Sequence, residues 1–396
     1  MTRRGAIPLT IALLLAGCGG GPGHEGVSLL LDMVDEAPVV APPVPVFPEG
    51  RPATPAPSVG PSAVPPGSSG NYGGGAPAAP PSAEVGLTLA SGDSYTLARI
   101  AGDTTGGLAV GTGPLSARFG AIAGMAVAPD GTLYVCDPVN HQVRVVPPTG
   151  PAEVLAGDSG GAAGYYGDNV PALATRLSGP TGLARDPLTG AIFVADTGNG
   201  RVRLFTPGGR IYTFAGGGGS AADAVNPATA AFLQQPVGLA LDHQKRLYVT
   251  DRGNGKVRRV EADGRLTTVA TLTAGQVGAI AISTDGERLW VAEGGKVRAI
   301  RPSDATPVAA APLFEAAGAV VTGLASDQAG SLFVLVTAAS PFGRADTRLW
   351  RVSVDSPGRA PVLVAGQTGT GATDAEYIAS TTPIPDGADQ RLAGGG

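Results

Sequence analysis

The strongest constraint on this chain is that it repeats itself. Leu133-Tyr134-Val135-Cys136-Asp137, Ile192-Phe193-Val194-Ala195-Asp196, Leu247-Tyr248-Val249-Thr250-Asp251 and Leu289-Trp290-Val291-Ala292-Glu293 are versions of one segment, and Leu332-Phe333-Val334-Leu335-Val336 is a decayed fifth copy. Each is followed by a second segment ending in a basic residue. These are Asn140-His141-Gln142-Val143-Arg144, Asn199-Gly200-Arg201-Val202-Arg203, Asn254-Gly255-Lys256-Val257-Arg258, Lys296-Val297-Arg298 and Leu349-Trp350-Arg351. Recurrence at roughly 40 to 60 residues marks a unit too small to bury its own apolar face, so the copies must stack on one another.

Each copy breaks into four short strand candidates. In the second they are Thr181–Arg185, Ala191–Ala195, Arg201–Phe205 and Arg210–Ala215, separated by turn residues such as Gly198-Asn199-Gly200 and Pro207-Gly208-Gly209. Several short strands with regular turn signals mean an all-β chain, and four strands per radially arranged repeat mean a β-propeller. The opening strand carries a glycine in Gly124-Met125-Ala126, Gly182-Leu183-Ala184, Gly238-Leu239-Ala240, Gly278-Ala279-Ile280 and Gly323-Leu324-Ala325. Small residues there suit an innermost strand where backbones approach closely. Tyr134, Phe193, Tyr248, Trp290 and Phe333 share one repeat position and are expected to pack between neighbouring blades. Five blades are recognisable. Tyr95–Gly102 matches Ile211–Gly216, and Arg391-Leu392-Ala393-Gly394 matches Arg176-Leu177-Ser178-Gly179, which leaves two expectations: a five-bladed ring with a spare N-terminal strand, or a six-bladed design with one incomplete blade.

Before the repeats lie two segments of different character. Arg3 and Arg4 precede the apolar run Ala6–Leu15. That run is shorter than the about 20 residues of a membrane span and fits the apolar region of a secretory signal. Leu15-Ala16-Gly17-Cys18 resembles a bacterial lipobox. The resemblance implies cleavage after Gly17 and lipidation of Cys18, with several acyl chains giving stable anchoring. Gly19 in place of Asp points to the outer membrane or cell surface. Gly and Pro make up about a quarter of the chain, and the Pro concentrates between residues 37 and 81. Such a segment buries too little apolar surface to offset its ordering entropy. The expected organisation is a signal peptide over 1–17, the lipidated Cys and a disordered tether over 18–84, and a propeller over 85–396.

The repeats resemble NHL repeats. The matching pattern is Gly-Leu-Ala, then Leu-Tyr-Val-x-Asp, then Asn-His/Gly-x-Val-Arg, then Val-Ala-Gly, running from about Ser94 to the end. The loop Gly164-Tyr165-Tyr166-Gly167-Asp168-Asn169-Val170-Pro171-Ala172 is similar to the long loop of bacterial NHL proteins. The resemblance implies an NHL-type propeller and a ligand that is protein, RNA or glycan; a few related propellers are enzymes.

Composition narrows that choice. The net charge is −5, which argues against a nucleic-acid partner, since those need a strongly basic face. The histidines are His24 near the tether, His141 in a turn and His243, so they do not supply the about three convergent ligands of a His-based catalytic zinc site. Asp137, Asp196, Asp251 and Glu293 recur one per blade, so turn capping is favoured over a shared cation. Arg144, Arg203, Arg258 and Arg298 are read as their ion-pair partners. No catalytic residue, metal or cofactor is assigned. The expected role is binding or scaffolding of an envelope protein or glycan by a monomer held at the membrane through its lipid anchor. The candidate face comprises Asn140, His141, Tyr165, Tyr166, Asn199, Arg201, Arg252 and Asn254, because loops on a rigid scaffold carry function. The alternative is a metal-dependent propeller enzyme of lactonase or lyase type.

Overall fold

The computed structural model describes residues 101, 107–108, 111–283, 285–303, 306–307, 312–327, 331–339, 345–354 and 360–365. It also describes the strands Thr10–Leu14, Ser28–Leu31, Val85–Thr88 and Ser94–Arg99. Gly17, Cys18, the Pro-rich segment over 37–81 and the chain end Arg391–Gly394 lie outside the described residues.

The five repeats form five four-stranded antiparallel blades. Blade 1 is Gly124–Val127, Leu133–Asp137, Gln142–Val146 and Glu153–Ala156. Blade 2 is Pro180–Arg185, Ile192–Asp196, Arg201–Phe205 and Arg210–Gly216. Blade 3 is Pro236–Leu241, Leu247–Asp251, Lys256–Val260 and Leu266–Thr271. Blade 4 is Val277–Ile282, Leu289–Glu293 and Lys296–Arg301, its outer edge shared by Thr306–Pro307 and Phe314–Glu315. Blade 5 is Ala319–Ser326, Ser331–Ala339, Ala345–Ser353 and Val362–Ala365. The first strands of successive blades lie side by side, which is the propeller arrangement.

A sixth sheet fills the gap between blades 5 and 1. Its order is Ser28–Leu31, Thr10–Leu14, Ser94–Arg99, Val85–Thr88, with Thr10–Leu14 parallel to Ser94–Arg99. Ser28–Leu31 lies beside the first strands of blades 1 and 5. The strand left over in the sequence, Ser94–Arg99, is therefore paired within a sheet. Two of its strands come from stretches read in the sequence as signal peptide and tether, because apolar runs there satisfy the pairing that an open ring would leave unmet.

The inner strands of the five blades are buried on both faces, so they read as continuous apolar runs. In Leu247–Asp251, Leu247 and Val249 pack with Phe193, Ala195 and Leu239 towards blade 2. Tyr248 points the other way, with Ile280, Leu289 and Val291 of blade 4. This is the two-residue period of a strand applied between two neighbours. The repeated aromatics lie in these seams: Tyr134 against blade 2, Phe193 against blade 3, Trp290 against blade 5. Phe193 meets Phe214 edge-on at 4.9 Å. Each buried aromatic contributes about 1.5–3 kcal/mol.

In blades 1 to 4 the glycine of the opening strand faces the next blade. A Cβ on Gly124 would lie 2.2 Å from the Thr181 carbonyl oxygen, and one on Gly182 would lie 2.2 Å from that of Val237. Hydroxyls and a thiol bond across the same seam. Thr197 Oγ1 donates to Pro236 O at 2.7 Å, Thr250 Oγ1 to Gly278 O at 2.8 Å, and Cys136 Sγ to Gly182 O at 3.6 Å. The loops entering blades 2 and 3 add the short strands Val170–Pro171 and Ala224–Val225 to the outer edges of those blades, covering edges that would otherwise be free.

Candidate ligand-binding face

The loops between blades and the turns between second and third strands meet at one end of the blades. There the repeated acids fasten one to the other. Asp137 accepts from the backbone of Gly120 at 3.0 Å and Ala121 at 3.2 Å, and from Asn140 Nδ2 at 2.7 Å. Asp196 accepts from Ser178 N at 2.7 Å and Asn199 Nδ2 at 2.8 Å. Asp251 accepts from Gln234 N at 2.7 Å and Asn254 Nδ2 at 2.8 Å. Glu293 takes Thr273 N and Oγ1 at 2.9 and 2.6 Å. Each asparagine also donates to a loop carbonyl: Asn140 to Gly107, Asn199 to Gly164, Asn254 to Phe232.

The repeated arginines lie beneath these clamps. Arg203 is fully buried, with Nη2 2.9 Å from Asp168 and Nη1 3.7 Å from Asp196. Arg298 Nε lies 3.0 Å from Glu293. Arg258 donates to Ala222 O at 2.8 Å. Arg144 donates to Arg118 O and stacks 4.7 Å from the Phe119 ring centroid.

Burial pushes the Asp196 carboxyl up to about 6, against the donors of Asn199, Ser178 and Arg203. A raised carboxyl holds its proton more tightly in the fold than in the unfolded chain. Its contribution is therefore full below the unfolded carboxylate pKa and is lost as pH rises through about 6. Relative to Asp196→Asn, the wild type should lose on the order of 2 kcal/mol between pH 4 and pH 7. Denaturant melts of both proteins across that range check this, and a pH-independent difference would contradict it.

Of the sequence-nominated face, five residues are engaged within the chain. Asn140, Asn199 and Asn254 use their amides in the clamps. His141, at φ +54°, accepts Gly179 N–H on Nδ1 at 2.9 Å and so ties blade 1 to the loop entering blade 2. Arg252 Nε donates to Gly275 O at 2.8 Å. Three remain presented outward or uncommitted. Tyr165 and Tyr166 are 38% and 53% exposed. The Arg201 guanidinium carbon lies 4.3 Å from the Tyr165 ring centroid, with Arg203 at 4.9 Å. Arg176 stacks 4.7 Å from Tyr166 and pairs through Nε with Asp158 at 3.2 Å. Sequence reasoning passes over Arg176, Asp158 and Asp168 as site residues, because their partners lie in other segments of the chain.

Among the described residues no group of three or more His, Cys, Asp or Glu side chains could hold a metal ion. The acids at the opposite strand ends are bound locally. Asp130 accepts from Thr132 N, Asp186 pairs with Lys245, and Asp242 lies 2.6 Å from Arg246 Nε. Cys136 is fully buried, and desolvation with the neighbouring Asp137 and Asp196 pushes its thiol far up. It should resist alkylation in the native protein and react only on unfolding, as read by mass spectrometry of the Cys136 peptide.

No protein-family model matches the chain, and no curated protein matches it. Similar solved structures do exist. One is a nidogen/laminin complex, at 17% identity over 57% of this chain and 79% of that one, with a TM-score of 0.42. Another is a catalytically inactive virginiamycin B lyase from Staphylococcus aureus with quinupristin, at 14% identity over 68% and 85%, TM-score 0.40. A third is a putative gluconolactonase, at 17% identity over 54% and 70%, TM-score 0.39. Likenesses this distant carry no argument about ligand or chemistry. The class of the protein, an all-β propeller of five four-stranded blades, rests on its own sheets.

Proposed function

We propose that this chain is a cell-envelope lipoprotein whose NHL-type propeller is a binding and scaffolding module for an envelope protein or glycan. The observation that carries the binding reading is the Tyr165, Tyr166 and Arg201 group. It combines exposed aromatic rings with a guanidinium that has no hydrogen-bond acceptor among the described residues, beside a loop clamped to a rigid blade. Loops so held are where scaffolds bind. The acids that an enzyme would recruit are instead used one by one as loop clamps.

The anchoring half of the proposal rests on Leu15-Ala16-Gly17-Cys18. Cleavage after Gly17 takes Thr10–Leu14 out of the sixth sheet, so the processed and unprocessed chains differ there. Both halves are tested in intact cells. Cys18→Ala should release the chain from the membrane fraction. Cross-linking with mass spectrometry should recover a partner that disappears when Tyr165 and Tyr166 are both replaced by alanine. Recovery of the same partners from that double variant would remove the binding face from consideration.

A further inference from the structure

In blades 1 to 4 the first residue of the third strand stands opposite the repeated acid: Gln142 opposite Asp137, Arg201 opposite Asp196, Lys256 opposite Asp251, Lys296 opposite Glu293. In three blades this side chain is engaged by the chain itself. Gln142 Nε2 donates to Asp158 O at 2.7 Å, Lys256 pairs with Asp223 at 2.7 Å, and Lys296 pairs with Glu315 at 3.2 Å. The Arg201 side chain makes neither a hydrogen bond nor an ion pair with any described residue, and its charge reaches the buried Asp196 only through space.

The reason lies in one exchanged partner. Asp223 in the loop entering blade 3 bonds Lys256 and also Thr268 Oγ1 at 2.9 Å. Its counterpart entering blade 2 is Asp168, which bonds the equivalent Thr213 Oγ1 at 2.9 Å. Asp168, however, is drawn to the buried Arg203 and leaves Arg201 without its carboxylate. Arg201 is nevertheless held in place. It rests on the Tyr165 ring, and it lies so close to Gly217 that a Cβ there would come within 1.6 Å of Nη1. Gly217 has φ +87°, a conformation that side chains rarely adopt.

We propose that Arg201 is a preorganised receptor for a carboxylate supplied from outside the chain, an Asp or Glu side chain on a partner protein. This rests on the binding reading above and names its chemistry. A guanidinium presents a planar fork that matches a carboxylate with two parallel hydrogen bonds, and immobilising it beforehand lowers the ordering cost of binding. The surroundings favour a protein source. The Tyr165 ring carries the guanidinium and the exposed Tyr166 follows it in the chain, and tyrosine beside arginine is the composition of protein-interface hot spots.

The test uses the full chain and two probes: a capped hexaglutamate peptide and a galacturonate hexamer. The wild type should bind the peptide, and Arg201→Gln should weaken binding about 10- to 100-fold. Lys256→Gln should leave binding unchanged, because Lys256 already has Asp223. Thermal melts of each variant confirm folding. Equal peptide binding by wild type and Arg201→Gln overturns the proposal, as does no peptide binding at all. Arg201-dependent binding of the galacturonate alone overturns the protein source and assigns the receptor to an acidic glycan. If cross-linked partners survive Arg201→Gln but are lost in the Tyr165 and Tyr166 double variant, this inference falls and the binding module stands. Partners insensitive to both remove the binding reading itself.

Discussion

Gly182→Ala should destabilise the propeller by about 3 kcal/mol or more, at the upper end of what overpacking costs. The added methyl would sit 2.2 Å from the Val237 carbonyl oxygen, 3.1 Å from its carbon and 3.2 Å from Gly238 Cα. All three are backbone atoms of the next blade's innermost strand, so no rotamer change relieves the clash. The ring has to open at that seam. Gly278 supplies the internal control, since it occupies the same repeat position. There a Cβ would meet nothing closer than Ala292 Cβ and Val321 O, both at 3.7 Å. Gly278→Ala should be neutral, or stabilising by up to about 1 kcal/mol through the unfolded chain. Denaturant melts of the two variants decide the matter. Equal losses would mean that the seam between blades 2 and 3 is no tighter than that between blades 4 and 5.

The second large effect separates two arginines two residues apart. Arg203→Ala should cost about 3–5 kcal/mol, because it leaves a buried charge uncompensated. Arg203 is fully buried between Asp168 and Asp196 and also donates to Gly167 O at 2.8 Å. Its loss would free the loop that carries Tyr165. Arg201→Ala should cost less than about 1 kcal/mol, in the range of partly exposed cation–π contacts. A thermal melt of each variant reads the difference. Comparable losses would show that Arg201 is part of the framework and would weaken its assignment as a receptor.

Much of the fold is legible in the sequence because each blade restates it. The four strand candidates of the second repeat fall on Pro180–Arg185, Ile192–Asp196, Arg201–Phe205 and Arg210–Gly216, within a residue of their expected ends. The turn residues Gly200 and Gly208 take left-handed φ of +62° and +72°, which is why the breaks are visible. The site was less legible. Asn140, His141, Asn199 and Asn254 stand in turns, where polar residues look available. Their atoms are taken by carbonyls and amides 22 to 38 residues away in sequence, and spacing along a chain does not encode such contacts. Arg176 and Asp168 do not recur in every blade, yet they flank the exposed tyrosines.

The sequence by itself determined the repeat unit, its four strands and the glycine of each innermost strand. All of these are local patterns multiplied by the same burial requirement. Only the tertiary structure decided which polar residues are free. In blade 3 the loop acid Asp223 meets Lys256, and in blade 2 its equivalent Asp168 meets Arg203. That exchange depends on how one loop lies over one sheet. The difference between an engaged cation and an open one is a matter of a few ångströms between residues more than thirty positions apart, where hydrogen-bond reach rather than residue type selects the partner.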